Sequence, residues 1–215
     1  KYSTGEGGPV MELYQIPRNV SITDAQTYEV FDQSTGLAKP APYPLINPAL
    51  YMNPYWRVHK QENNETRDRI MGFVSARYNI NDWLHLTGRA NIDKTTDNLE
   101  FLQHQGTIGI NPGGTFGLSR INVFQQWYDA ILEGANSFGK NIKIDYRGGV
   151  ILQDNKYNQV DDRANGLNVP NNFSLNFATN PNYSQGAVQR QTQSVFAQAN
   201  IGFKNSIFID GSVRN

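Results

Sequence analysis

The sequence predicts an all-β protein, a stretch of an antiparallel transmembrane β-barrel, and three observations carry that prediction. Apolar and polar residues alternate with period two over six segments. These segments pair into three hairpins whose turns are two to four residues long, while the connections between hairpins are far longer. One face of each segment is almost free of charge, and the other carries Arg, Asp and Glu at mid-strand. Period two is the signature of strands, and short turns alternating with long loops are the habit of outer-membrane barrels.

Bulk composition agrees. The 215 residues carry 19 basic and 19 acidic side chains, a balance that gives no reason to expect nucleic acid as a partner. Only 18% of residues are charged and 12% are aromatic, which suits short strands and polar loops better than an ordinary soluble enzyme. Cysteine is absent, as fits an envelope protein held by barrel closure rather than by disulfides. No apolar run approaches the ~20 residues of a membrane helix, which leaves spanning by strands open. A start at Lys1 without Met or signal peptide, and alternation still running at Asn215, suggest a piece of a longer protein.

Residues 1–66 read as an extended loop region rich in Gly and Pro, including Gly5, Gly7, Gly8 and Pro9 and, further on, Pro40, Pro42, Pro44, Pro48 and Pro54. One short helix is expected over 22–31, with Ser21 as its cap and Asp24 in the position of a capping-box acid. Barrel strands are expected in hairpins over about 69–96, 122–154 and 191–215. In the first, Ile70, Gly72, Val74, Ala76, Tyr78 and Ile80 share a face, and after the turn Asn81-Asp82 so do Leu84, Leu86, Gly88, Ala90 and Ile92. The second repeats the plan around Gly139-Lys140-Asn141, and the third around Lys204-Asn205. Arg77, Arg89, Asp129, Glu133, Asp145, Arg147 and Asp210 all fall on the opposite face. Hydrocarbon outside and an enclosed polar interior would produce this division, because Arg or Lys on the lipid side costs ~2–4 kcal/mol at the midplane. Tyr78, Trp83, Phe138 and Phe203, near the turns, suit the interfacial aromatic girdle. Alternation alone also fits a large antiparallel sheet with one solvated face, such as a secreted carbohydrate-binding β-sandwich.

Several runs resemble a known family. Asn53-Pro54-Tyr55-Trp56, Arg67-Asp68-Arg69-Ile70-Met71-Gly72, Trp83-Leu84-His85-Leu86-Thr87-Gly88-Arg89, Ser194-Val195-Phe196-Ala197 and Gly202 through Asp210 are similar to the barrel of SusC/RagA-type TonB-dependent transporters of Bacteroidota. The likeness covers about residues 50–215 and loosely takes in Ile16-Pro17-Arg18. It implies a roughly 22-stranded barrel closed by an N-terminal plug, and a SusD-like lipoprotein lying over the extracellular mouth. It also implies import of a glycan or a peptide with energy delivered through TonB. Plug and energy-coupling residues are not among these motifs. A siderophore or cobalamin importer without a lipoprotein lid shares the same architecture.

Nothing points to catalysis. His59, His85 and His104 are the only histidines, and none has the spacing of a zinc motif. Asp161-Asp162-Arg163-Ala164-Asn165-Gly166 has the outline of a calcium loop, but Arg163 occupies a ligand position and Asn172 stands where Glu belongs. No metal or cofactor is expected, and no enzyme activity. The charged strand residues either brace the wall or line a substrate path. Candidate substrate contacts are Trp127, Asp129 and Arg147 on the polar face, with Tyr55, Trp56 and Tyr157 read as loop aromatics; packing is the competing role for each.

Overall fold

The computed structural model describes residues 9–204 and 206–215, so Gly5, Gly7, Gly8 and the turn residue Asn205 lie outside the described residues. Six long strands form one antiparallel sheet in sequence order: β3 (Gln61–Asn81), β4 (Leu84–Gln103), β5 (Thr115–Phe138), β6 (Ile142–Leu167), β7 (Ala178–Phe203) and β8 (Ile207–Arg214). Ahead of them come α1 (Pro9–Leu13), the hairpin of β1 (Glu29–Asp32) with β2 (Leu37–Pro40), and α2 (Pro54–Lys60). Among the described residues no helix is long and apolar enough to cross a membrane, which says nothing of crossing by strands. The chain divides into two compact units, and the long strands contribute segments to both.

One unit comprises Asp68–Thr96, Ile121–Asn158 and Gly186–Asn215. It holds the three tight turns. Asn81 Oδ1 accepts the Trp83 N–H at 3.1 Å, so side chain and backbone together bend the chain at Asp82-Trp83. Gly139 (φ +64°) opens the second turn, and Lys204 takes a left-handed φ of +48° in the third. Register is set by cross-strand pairs: Ile201 faces Ile209, and Ala199 faces Gly211. No second layer covers the uncharged face among the described residues, for Val74 and Val195 are 65% and 58% exposed. That is not the burial a sandwich requires.

The other unit comprises Lys1–Arg67, Asp97–Arg120 and Gln159–Gln185. Its strand segments continue well past the expected hairpins. The connections read as running from Lys94 to Ile121 and from Asn155 to Gln189 shrink to residues 104–114 and 168–177. Here both faces of the strands are polar, so the period-two contrast disappears although backbone pairing persists. The expected helix over 22–31 is a 3-10 turn at Ile22–Gln26, capped by Ser21 as anticipated, and the chain then enters β1. Tyr28, Val30 and Phe31 account for the change, since aromatic and β-branched side chains favour a strand. Within the supposed loop region α2 is capped by Asn53, whose Oδ1 accepts the Tyr55 N–H at 2.9 Å. Beneath α2 the Arg57 Nε–H donates to the fully buried Glu12 carboxylate at 2.7 Å.

The two connections knit together. Asn171 Oδ1 accepts the Gln105 N–H at 2.8 Å, and Gln105 Oε1 accepts the Gly113 N–H at 3.0 Å. Phe116, Ala164 and Leu167 form the core beneath them, joined by Phe173, Leu175 and Phe177. Gly113 has φ +84°, and a Cβ there would lie 1.9 Å from the Leu167 carbonyl oxygen. Gly113→Ala therefore combines a strained φ with a backbone clash and should cost about 2–4 kcal/mol; protease nicking within 104–114 and 168–177 of the full-length protein should accelerate accordingly. His104 packs edge-on to Phe173 at 4.9 Å, and its burial, aided by the Lys60 charge, holds its pKa below the usual histidine value. The unfolded chain then takes up its proton first, so stability from this site is intact at neutral pH and is lost as pH falls below ~6.5. Nicking of the same loops should rise between pH 7.5 and 5.5, and His104→Gln should flatten that dependence.

Candidate ligand-facing surfaces

In the unit that holds the tight turns, alternation gives the strands two unlike faces. Every second residue is uncharged from Ile70 to Ile80 on β3, Leu84 to Ile92 on β4, Tyr128 to Phe138 on β5, Ile142 to Leu152 on β6 and Val195 to Phe203 on β7. Each stretch covers nine to eleven positions and abuts a short turn. At about 3.3 Å per residue and a tilt of about 45°, such a stretch rises some 20–25 Å, close to the apolar band of outer-membrane barrels. Tyr78, Trp83, Phe138 and Phe203 are exposed at its turn-proximal edge.

The other face is laced across strands. The Arg89 Nε–H donates to both Asp129 oxygens, at 2.9 and 3.2 Å, and Arg69 pairs with Asp93. Farther along the sheet the Arg147 Nε–H donates to Gln198 Oε1 at 2.9 Å, and the Asn200 amide donates to Asp210. Individually such pairs contribute only about 0.2–1 kcal/mol. Their effect is on alignment, because each joins residues that the alternation had already placed together.

Trp127, Asp129 and Arg147 lie on this charged face, as expected. Trp127 and Asp129 share a hollow of about 300 Å³ with Phe73, Arg89 and Asn91. Arg147 belongs to a separate hollow of about 220 Å³ with Glu133, Asp145 and Gln198. Tyr157 sits within β6 rather than in a loop. Tyr55 is half-buried on α2, its ring nearly parallel to His59 at 6.3 Å. Trp56 departs from expectation: it is 1% exposed, and its Nε1–H donates to Thr107 Oγ1 at 3.0 Å. It is a core residue of α2, sealed from any ligand. Phe173 and Phe177 pack against the core of Phe116, Ala164 and Leu167.

The unit containing α2 holds a larger cavity, of about 530 Å³, that the sequence reading missed. Glu65, Leu99, Phe101, Ser119, Asp161 and Arg163 are among its walls. The Arg163 guanidinium lies over the Phe101 ring at 5.1 Å. Asp161 accepts hydrogen bonds from Gln159 at 2.8 Å and Ser184 at 3.2 Å. Those from Gln159 first, then Ser119 and Ser184, hold its carboxyl below the ordinary carboxylate range. Most of these residues lie in segments whose polarity on both faces made them read as loops. Among the described residues no cluster of three or more His, Asp or Glu is placed to hold a metal ion.

No family model matches the chain, and no curated protein matches it. Solved structures do. The fold is similar to that of a chain in the structure of the RagAB peptide transporter, with a TM-score of 0.75, 16% identity, and coverage of 100% of this chain and 23% of that one. Two further structures of the RagAB peptide importer, in the "open-open" and "closed-closed" states, match with TM-scores of 0.73 at the same identity and coverage. This chain thus spans about a quarter of the length of the chains it matches. At this identity the fold is what is shared, that of a segment of the RagAB chains.

The two tryptophans separate packing from ligand contact. Trp56→Ala removes a buried indole and its hydrogen bond and should destabilise by ~3–5 kcal/mol. Trp127→Ala, at a 42% exposed position, should cost about 1 kcal/mol or less. Urea unfolding of the two full-length variants in detergent checks the contrast.

Proposed function

We propose that this chain forms part of the barrel wall of a TonB-dependent outer-membrane importer that takes up a nutrient, either a glycan oligosaccharide or a peptide. A SusD-like surface lipoprotein closes over its mouth, and TonB acts through a plug-bearing N-terminal region of the whole protein. The observation that carries this reading is the confinement of charge. Nine to eleven positions beside each short turn present only uncharged side chains outward, while Arg89, Asp129, Asp145 and Arg147 fall on the other face. Outer-membrane lipid is the solvent that suits the first face, and an enclosed polar interior suits the second. Similarity in fold to a structure described as a peptide transporter supports import as the activity.

On this reading Trp127, Asp129 and Arg147 face the interior, where charged side chains brace the wall and Trp127 presents an aromatic surface to whatever passes. Tyr55 and Tyr157 are secondary candidates for ligand contact. The wall has no catalytic task and requires no cofactor; its work is to enclose, orient and release.

Two measurements test the proposal. Arginine placed at Ile144 or Ile201 should lower the stability of the full-length protein in lipid vesicles by ~2–4 kcal/mol, and at Asn200 by well under 1 kcal/mol. Equal costs on both faces would mean that the uncharged face does not meet hydrocarbon. Affinity purification from detergent-solubilised envelopes should bring down a lipoprotein in stoichiometric amount. Its absence would remove the lid and favour the siderophore or cobalamin type of importer.

A further inference from the structure

We infer that the second and third tight turns together hold the headgroup of an anionic phospholipid, the Lys140 and Lys204 ammonium groups taking its phosphate. The inference rests on the reading that the uncharged face meets outer-membrane lipid, and it assigns the lipid that this rim of the wall selects.

The two turns are joined. The Lys204 N–H donates to the Asn141 carbonyl at 2.7 Å, which brings Gly139-Lys140-Asn141 against the corner between β7 and β8. A hydrogen-bonded cross-strand pair sets its Cα atoms about 5.5 Å apart and one peptide step adds about 3.8 Å, so the Lys140 and Lys204 backbones lie within about 10 Å of each other. Both residues are exposed, and two extended lysine side chains close such a span on a single phosphate. The Lys204 ammonium lies 5.4 Å from the centre of the Phe203 ring. Phe203 belongs to the uncharged face and is exposed with Phe138 at its turn-proximal edge. This cation therefore stands on the lipid side of the wall, at the depth of the aromatic girdle, where headgroups begin.

The local sign favours an anion. No Asp or Glu occurs between Glu133 and Asp145 or between Asp162 and Asp210, and of the three tight turns only the first carries an acid, Asp82. Among the described residues neither Lys140 nor Lys204 has a carboxylate within ion-pair distance. Lys143, on the opposite face, is instead paired with Asp145 at 3.3 Å. Backbone conformation adds a second argument. Lys204 is held at φ +48°, where Gly or Asn is the unstrained choice, and the Ser206 N–H closes this turn on the Phe203 carbonyl at 3.0 Å. Strain of this kind points to a side chain kept for what it does. A zwitterionic headgroup brings its own ammonium toward two lysines and is the poorer partner; a phosphate without that ammonium gains from both.

The test uses the full-length protein, with any lipoprotein that accompanies it, in detergent micelles doped with phosphatidylglycerol or phosphatidylcholine. Retained lipid is counted by native mass spectrometry. Wild type should prefer phosphatidylglycerol about 25-fold, roughly fivefold for each lysine, and Lys140→Gln/Lys204→Gln should be nearly indifferent to headgroup. Lys39→Gln, on the β1–β2 hairpin, should behave as wild type. Lys204→Asn relieves the left-handed φ, so it should resist urea at least as well as wild type while its lipid preference falls about fivefold. A lysine that only shapes the turn does not produce that opposite movement, and this variant decides if the double one fails to fold. Equal retention of the two lipids by wild type, an undiminished preference in Lys204→Asn, or an equal loss in Lys39→Gln would overturn the inference. Displacement of phosphatidylglycerol by millimolar inorganic phosphate would mean a free-anion site and would overturn the lipid assignment. Lipid retained without headgroup preference by protein resident in the outer membrane removes this inference and leaves the importer wall standing. Protein absent from the outer-membrane fraction would remove both.

Discussion

Arg89 against Asp129, at 2.9 Å across β4 and β5, expresses the constraint on which the rest of the sheet depends. In a strand the side-chain period is two, so a slip of one residue in the pairing exchanges the faces entirely. Such a slip would turn Arg89 or Asp129 outward among Leu86, Ala90 and Leu132, and would place alanine where the charge pair had been. The Thr96–Asn122 hydrogen bond and the backbone bond from the Ala135 N–H to the Trp83 carbonyl fall in the same register as Arg89–Asp129. Polar pairs that contribute little individually therefore specify the alignment jointly, and the alignment decides which solvent each face meets.

The same backbone pairing serves a different end in the unit that contains α2. There the strands carry polar residues on both faces, and definition comes from their ends. Gly113 lets one connection lie against the Leu167 carbonyl, and Asn171, itself at φ +57°, spans to Gln105. Glu12 and Arg57 form a buried pair beneath α2, and the Trp56 indole is tied to Thr107. The hydrophobic core here is small, and hydrogen bonds between connections supply much of the order.

The sequence displayed most clearly what the two-solvent division governs. Six strands, three tight turns and the face assignment of Trp127, Asp129 and Arg147 follow from alternation between Ile70 and Val213, because each position there has one wrong side. The signal fails where that penalty lapses. From Lys94 to Gln103 and from Asp154 to Leu167 neither face excludes polar residues, so strands passed as loops, and the cavity of Phe101 and Arg163 passed with them. Trp56 misled for the opposite reason. Its neighbours Pro54 and Tyr55 read as exposed loop, and only Thr107, fifty-one positions away, reveals that the indole is interior.

The order of the strands has a consequence for how such a wall comes into being. From β4 onward each strand of the sheet pairs with its immediate predecessor in the chain, and the turns within hairpins are only two or three residues long. Contacts of that kind are local in sequence, so the entropy of closing each step is small and pairing can proceed as a zipper. At every intermediate stage the growing ribbon has two unpaired margins, whatever its width. A protein assembled this way never exposes more than that pair of adhesive borders, which limits the opportunity for association with the wrong chain while it matures.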